Sequence, residues 1–158
     1  MRSTFSGFLA VLLLLTLCGC QTPEWRRAVA ARPAMIRAIE TEPAGNYYVG
    51  RRFYKSDFRF WGYVRSPRKP WSTAQLVMLN EHGLLAPDRE KGKLGLDNGY
   101  EYRLEGYFSG DTVYEPASNR FYPEFVLQNY RLKSEEPGAI FRSSRALDPE
   151  ERLIVKPY

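Results

Sequence analysis

Nine residues, YEYRLEGYF from Tyr100 to Phe108, limit the fold more than any other stretch. Tyr100, Tyr102, Leu104, Gly106 and Phe108 fall on one side of an extended chain, and Glu101, Arg103, Glu105 and Tyr107 on the other. That period of two suits a strand with one face turned inward. The pattern begins near Asn46 and recurs at Phe58, Phe60, Gly62 and Val64 against Arg59, Trp61, Tyr63 and Arg65. AQLVML, Ala74 to Leu79, is continuously apolar, as expected of a strand covered on both faces. Asp97-Asn98-Gly99 is a turn signal before the Tyr100 strand. Ser109-Gly110-Asp111 and the EPASN run from Glu115 bracket a short predicted strand at Thr112 to Tyr114. YPEFVLQNYRLK then supplies the last long strand, ending near Lys133.

Five or six strands within residues 46–133 predict a mainly β fold, a small antiparallel β-barrel. Gly62 and Gly106 stand inside strands, where a missing side chain lets a sheet bend sharply. The arrangement resembles an OB-fold, a five-stranded Greek-key barrel, at the level of fold and without a shared motif. A lipocalin-like half-barrel, or an open sheet packed on a helix, accounts for the same pattern. Residues 20–45 read as a tether. Within it, PEWRRAVAARPAMIRAIE has helical spacing, with Trp25, Val29, Ile36 and Ile39 near one face, and Pro33 is expected to kink or end the helix. Residues 134–158 form a C-terminal extension with a short helix expected after Asp148, where Pro149 would take the first helical position.

Residues 47–71 interleave nine rings with seven bases (Arg51, Arg52, Lys55, Arg59, Arg65, Arg68 and Lys69) against a single acid, Asp57. If the strands are exposed on that side, Trp61 and Tyr63 flanked by Arg59 and Arg65, with Arg68 and Trp71 beyond, form a stacking platform with cationic rails. Such a surface suits a nucleic-acid strand or an acidic glycan. The other reading is that the rings fill the core while the arginines solvate the outer face. Residues 100–124 carry Glu101, Glu105, Asp111, Glu115 and Glu124 against Arg103 and Arg120. Opposite charge on the two blocks is expected to pair them as neighbouring strands.

The first twenty residues, MRSTFSGFLAVLLLLTLCGC, place Arg2 before an apolar run from Phe8 to Leu17 that is too short to span a bilayer. The run ends in Leu17-Cys18-Gly19-Cys20, which resembles the lipobox of bacterial lipoproteins; the resemblance covers residues 1–20 only. It implies removal of residues 1–19 as a signal peptide, acylation of Cys20, and attachment to a membrane through that lipid anchor. Gln21 rather than Asp follows the cysteine, which by the enterobacterial sorting rule implies the periplasmic face of the outer membrane. The formal net charge is +5, or +4 once Arg2 departs with the signal. With Cys18 removed and Cys20 acylated, no intrachain disulfide is expected, so burial alone must stabilise the domain.

Export makes nucleic acid an unexpected partner and points to an envelope glycan or protein. The lone His82 has no second histidine or free cysteine to complete a metal or nucleophilic site. No Gly-x-Ser-x-Gly elbow or phosphate-binding glycine loop occurs. No cofactor is implied. The expectation is a non-enzymatic binding or assembly module. A glycan hydrolase using carboxylates such as Glu101 or Glu124 is the alternative, and would need two of them to converge.

Overall fold

The computed structural model describes residues 22–158, except the side chains of residues 59 and 60. The elements in order are α1 (Pro23–Glu40), β1 (Tyr48–Lys55), β2 (Phe58–Arg65), a 3-10 turn (Trp71–Thr73), β3 (Gln75–Asn80), α2 (Pro87–Glu90), β4 (Glu101–Glu115), β5 (Arg120–Ser134) and a second 3-10 turn (Ser144–Leu147). The strands form one mixed sheet, hydrogen-bonded in the order β1-β2-β3-β5-β4, and β4 pairs back with β1, which closes it. β3 and β5 run parallel, Met78 opposite Glu124, so the expected all-antiparallel arrangement is corrected to a mixed one. The long connection from β3 through α2 to β4 permits that parallel pair, since β5 then enters beside β3 in the same direction. Among the described residues no helix is long and apolar enough to cross a membrane.

Alternation sorts the side chains into two layers. Inside the closed sheet lie Val64, Val77, Leu79, Tyr102, Leu104, Phe125 and Leu127. Gly62 sits across from Arg52, and a Cβ there would meet the Arg51 carbonyl oxygen at 3.0 Å. Gly106, at the register shift after Glu105, leaves only 2.1 Å between a notional Cβ and the Val126 carbonyl oxygen. Both glycines therefore occupy places where the backbone itself takes the space, as expected of bends. The Ser109-Gly110-Asp111 stretch does not end the strand. It is an irregularity within β4, with Gly110 at φ +91° and the Asp111 N–H bonded to the Ser109 hydroxyl at 3.1 Å.

Outside the sheet lies a second core, built of Trp25, Ile39, Tyr47, Val49, Phe53, Tyr63, Trp71, Ala139, Ile140 and Phe141. The tether and the C-terminal extension are therefore parts of the packed domain. α1 starts at Thr22, whose hydroxyl accepts the Trp25 N–H at 3.3 Å, with Pro23 in the first turn. It runs straight through Pro33, contrary to the expected break. Pro33 is exposed, so the carbonyl one turn back can turn to water, while Trp25 and Ile39 hold the helix down on either side. Residues 138–139 cross the helix closely: the Ala139 N–H bonds the Ala28 carbonyl at 2.7 Å, and Gly138 approaches the Arg32 Cα at 3.0 Å from its notional Cβ.

No helix follows Asp148. Its carbonyl accepts Lys55 Nζ at 2.6 Å, and the Pro149 carbonyl accepts the Ser56 N–H at 3.0 Å. Carbonyls committed to the β1–β2 turn cannot serve a helix, and residues 149–158 instead run irregularly over the sheet.

Candidate functional site

The predicted basic-aromatic surface is mostly interior. Trp61 is 2% exposed and stacks on Phe58 with ring centroids 4.3 Å apart, covered by Tyr122 and Ile154. Tyr63 meets Phe53 and Phe141 edge-on, and its hydroxyl donates to the Val155 carbonyl at 2.6 Å; burial raises its pKa above the ordinary value. Arg65 and Trp71 are each 2% exposed. Only Arg68 keeps an exposed side chain; Arg59 lies in β2, with its side chain outside the description. The expectation of a platform formed by Trp61, Tyr63, Arg65 and Trp71 is thus corrected. The polar side of β2 is covered by the C-terminal segment and bordered by α1. Cys20 lies outside the described residues.

What the fold does gather is a set of ions around Glu42, just past the end of α1. Arg65 donates to both Glu42 oxygens, at 2.8 and 2.7 Å, a forked pair with good geometry. Lys133 reaches Glu42 at 2.7 Å and Glu101 at 2.8 Å. Arg51 binds Glu101 through Nε and Nη2 at 3.0 and 2.8 Å and touches the Met35 sulfur. Trp71 lies between the two arginines, with guanidinium carbons 4.9 and 4.8 Å from its ring. The Arg51–Glu101 pair joins β1 to β4, so the opposite charges of the two sequence blocks do meet across neighbouring strands.

Charge states follow from the partners. Burial raises the Glu42 pKa, but hydrogen bonds from Arg65, Lys133 and the Arg68 N–H outweigh it and hold the carboxyl at about 2. Burial likewise disfavours ionised Glu101, and Arg51 with Lys133 overcomes it, leaving the pKa below the ordinary carboxylate value. Burial opposes the charge on Lys133, yet the two carboxylates raise its pKa. An acid that is ionised and twice paired is poorly suited to give a proton to a glycosidic oxygen. Glu124 is occupied by Asn80 Nδ2 at 2.9 Å. On β5, Glu124 and the Glu101 partner Ser134 are ten residues apart, about 30 Å of strand, so these two carboxylates do not converge.

The register carries the cluster onto the surface. Arg65 faces Val49, Val49 faces Arg103, and Arg103 faces Arg131, so one row across β2, β1, β4 and β5 holds three arginines. Glu42 neutralises Arg65. Arg103 and Arg131 are exposed, and the ion pairs among the described residues include neither. Arg103 lies over the Tyr47 ring at 4.1 Å, while Glu105, one row on, accepts from Asn129 at 3.3 Å. Arg68 adjoins the row at φ +62°, its N–H on Glu42 Oε2 at 2.8 Å and its Nε on the Glu42 carbonyl at 2.6 Å.

Sequence reasoning named Arg65, Arg68 and Trp71 and missed Glu42, Lys133 and Arg131. The one available signal was the clash of like charges once Arg103 and Arg131 are aligned, and alignment needs the register. Searches of protein-family models, curated proteins and solved structures found no match to this chain.

Proposed function

We propose that the chain is a non-enzymatic envelope lipoprotein, anchored through acylated Cys20, whose domain is an OB-like barrel serving as a binding or assembly module. The OB-like reading draws support from the closed strand order, the parallel β3–β5 pair, and α2 lying between β3 and β4, capped by buried Ala86 and burying its own Asp88. OB-folds use the face around strands two and three for extended ligands. Here Phe141, Ile154 and Val155 lie on that face. Contact is therefore assigned to the neighbouring outer face of β4 and β5.

The observation that carries the reading is the pair Arg103 and Arg131, exposed side by side on that face and in none of the ion pairs among the described residues. The lipobox of residues 17–20 supplies the anchor. Envelope fractionation with intact-mass measurement tests the anchoring. The wild-type chain should be found with membranes at the mass of residues 20–158 plus acyl groups, and Cys20→Ala should be neither acylated nor retained there. An unmodified wild-type mass would reject the proposal.

A further inference from the structure

We infer that the Arg103–Arg131 face is a membrane-orienting surface that docks against the phosphate groups of anionic lipids, an inference resting on the anchoring at Cys20. Two features of this patch work against folding. Arg103 and Arg131 stand directly opposite on adjacent strands, an arrangement that like charge destabilises. Arg68, bonded to Glu42 beside Arg65 and Lys133, is held at φ +62°, a backbone state where a residue with a Cβ is strained and glycine would be at ease. Both features retain a guanidinium at the surface. Arg103 and Arg131 are exposed and take part in none of the ion pairs among the described residues, so this face is complementary to an external anion.

Geometry favours a lipid surface over a discrete ligand. Arg103 and Arg131 stand one strand spacing apart, about 5 Å, on an open sheet face. Among the described residues, the larger cavities are lined by neither Arg103 nor Arg131. Exposed guanidinium groups spread across a sheet face suit an array of phosphates. α1 is 18 residues long, roughly 27 Å, and leads from Thr22, two residues after Cys20, to the cluster at Glu42. Its exposed side carries Arg26 and Arg37 with Val29 and Ile36. The same side of the sheet that α1 covers at Val49 continues outward as Arg103 and Arg131. A lipid at one end of the helix and cations at the other give two points of attachment, which together fix how the domain lies.

The test uses the mature lipidated protein in vesicles of phosphatidylcholine, with or without about 30% phosphatidylglycerol. Cys20 is acylated and Cys18 removed, so Gln128→Cys, exposed and close to Arg131 on β5, provides one thiol for a fluorophore. Quenching by a headgroup-attached nitroxide reports whether this face lies down. Quenching should be about fivefold greater with phosphatidylglycerol and should vanish at high salt, where screening shortens to a few ångströms. Arg131→Glu should abolish the difference while leaving the unfolding midpoint unchanged or higher, because it replaces a repulsive cross-strand pair with an attractive one. A purely structural arginine would lose stability instead. Equal quenching on both lipids, or Arg131→Glu quenched as wild type, overturns the inference; capture of an acidic polypeptide by this face without lipid dependence does the same in favour of a protein partner. Intact mass on the same sample separates this failure from loss of the anchoring proposal: an unacylated chain rejects the anchor, whereas an acylated chain without lipid-dependent quenching rejects only the surface.

Discussion

Glu42 shows how one carboxylate can organise a surface. It receives Arg65, Lys133 and the Arg68 N–H, and its pKa of about 2 lies well under the ordinary 4.5. A depressed carboxylate pKa contributes stability that is complete above the unfolded value and is lost as pH falls through the folded one. Between about pH 4.5 and 2, wild-type stability should therefore fall more steeply than that of Glu42→Gln, as measured by urea unfolding at each pH. At pH 7 the same substitution should be markedly destabilising, since Arg65 would be left buried without its counter-charge. Trp71, flanked by two guanidinium groups and 2% exposed, fills the space between them; Trp71→Ala is expected to cost about 3–5 kcal/mol. Gly106→Ala drives a Cβ toward a carbonyl oxygen and should lower stability by roughly 1–3 kcal/mol, readable in the same unfolding experiment.

At the scale of elements, alternation made β2 and the first part of β4, up to Phe108, legible, because a half-buried strand writes its period into the chain. Gly62 and Gly106 were legible as bends for the same local reason. The parallel pairing of β3 with β5 was not, since direction depends on the path of residues 81–100 and leaves no local mark. Nor was the burial of Trp61 and Arg65. Alternation separates two faces but does not say which one a later segment will cover. Here Phe141, Ile154 and Val155 lie roughly eighty to ninety residues downstream of the strand they cover. Pro33 misled in the opposite way: its propensity cost is real, and tertiary contacts at Trp25 and Ile39 override it. Pro33→Ala should accordingly raise stability, by up to ~3 kcal/mol if the restored hydrogen bond forms fully. Thermal unfolding with circular dichroism at the helix band checks that directly.

For the molecule as a whole, two shells of packing share one sheet. The inner shell closes on itself, and the outer is completed by α1 and residues 139–158. Among the described residues, that division leaves the β4–β5 side of the outer face exposed at Arg103 and Arg131, which join none of the ion pairs. A chain of this charge could have used its ring-rich strands as a binding platform. Instead the rings stabilise the fold, and the candidate contact lies two strands away. The account therefore turns on a contrast between Trp61 and Arg131, measured by equilibrium urea unfolding of Trp61→Ala and Arg131→Glu beside wild type. Trp61→Ala is expected to lose about 3–5 kcal/mol and Arg131→Glu to lose none. A Trp61→Ala protein as stable as wild type, or an Arg131→Glu protein severely destabilised, would contradict it.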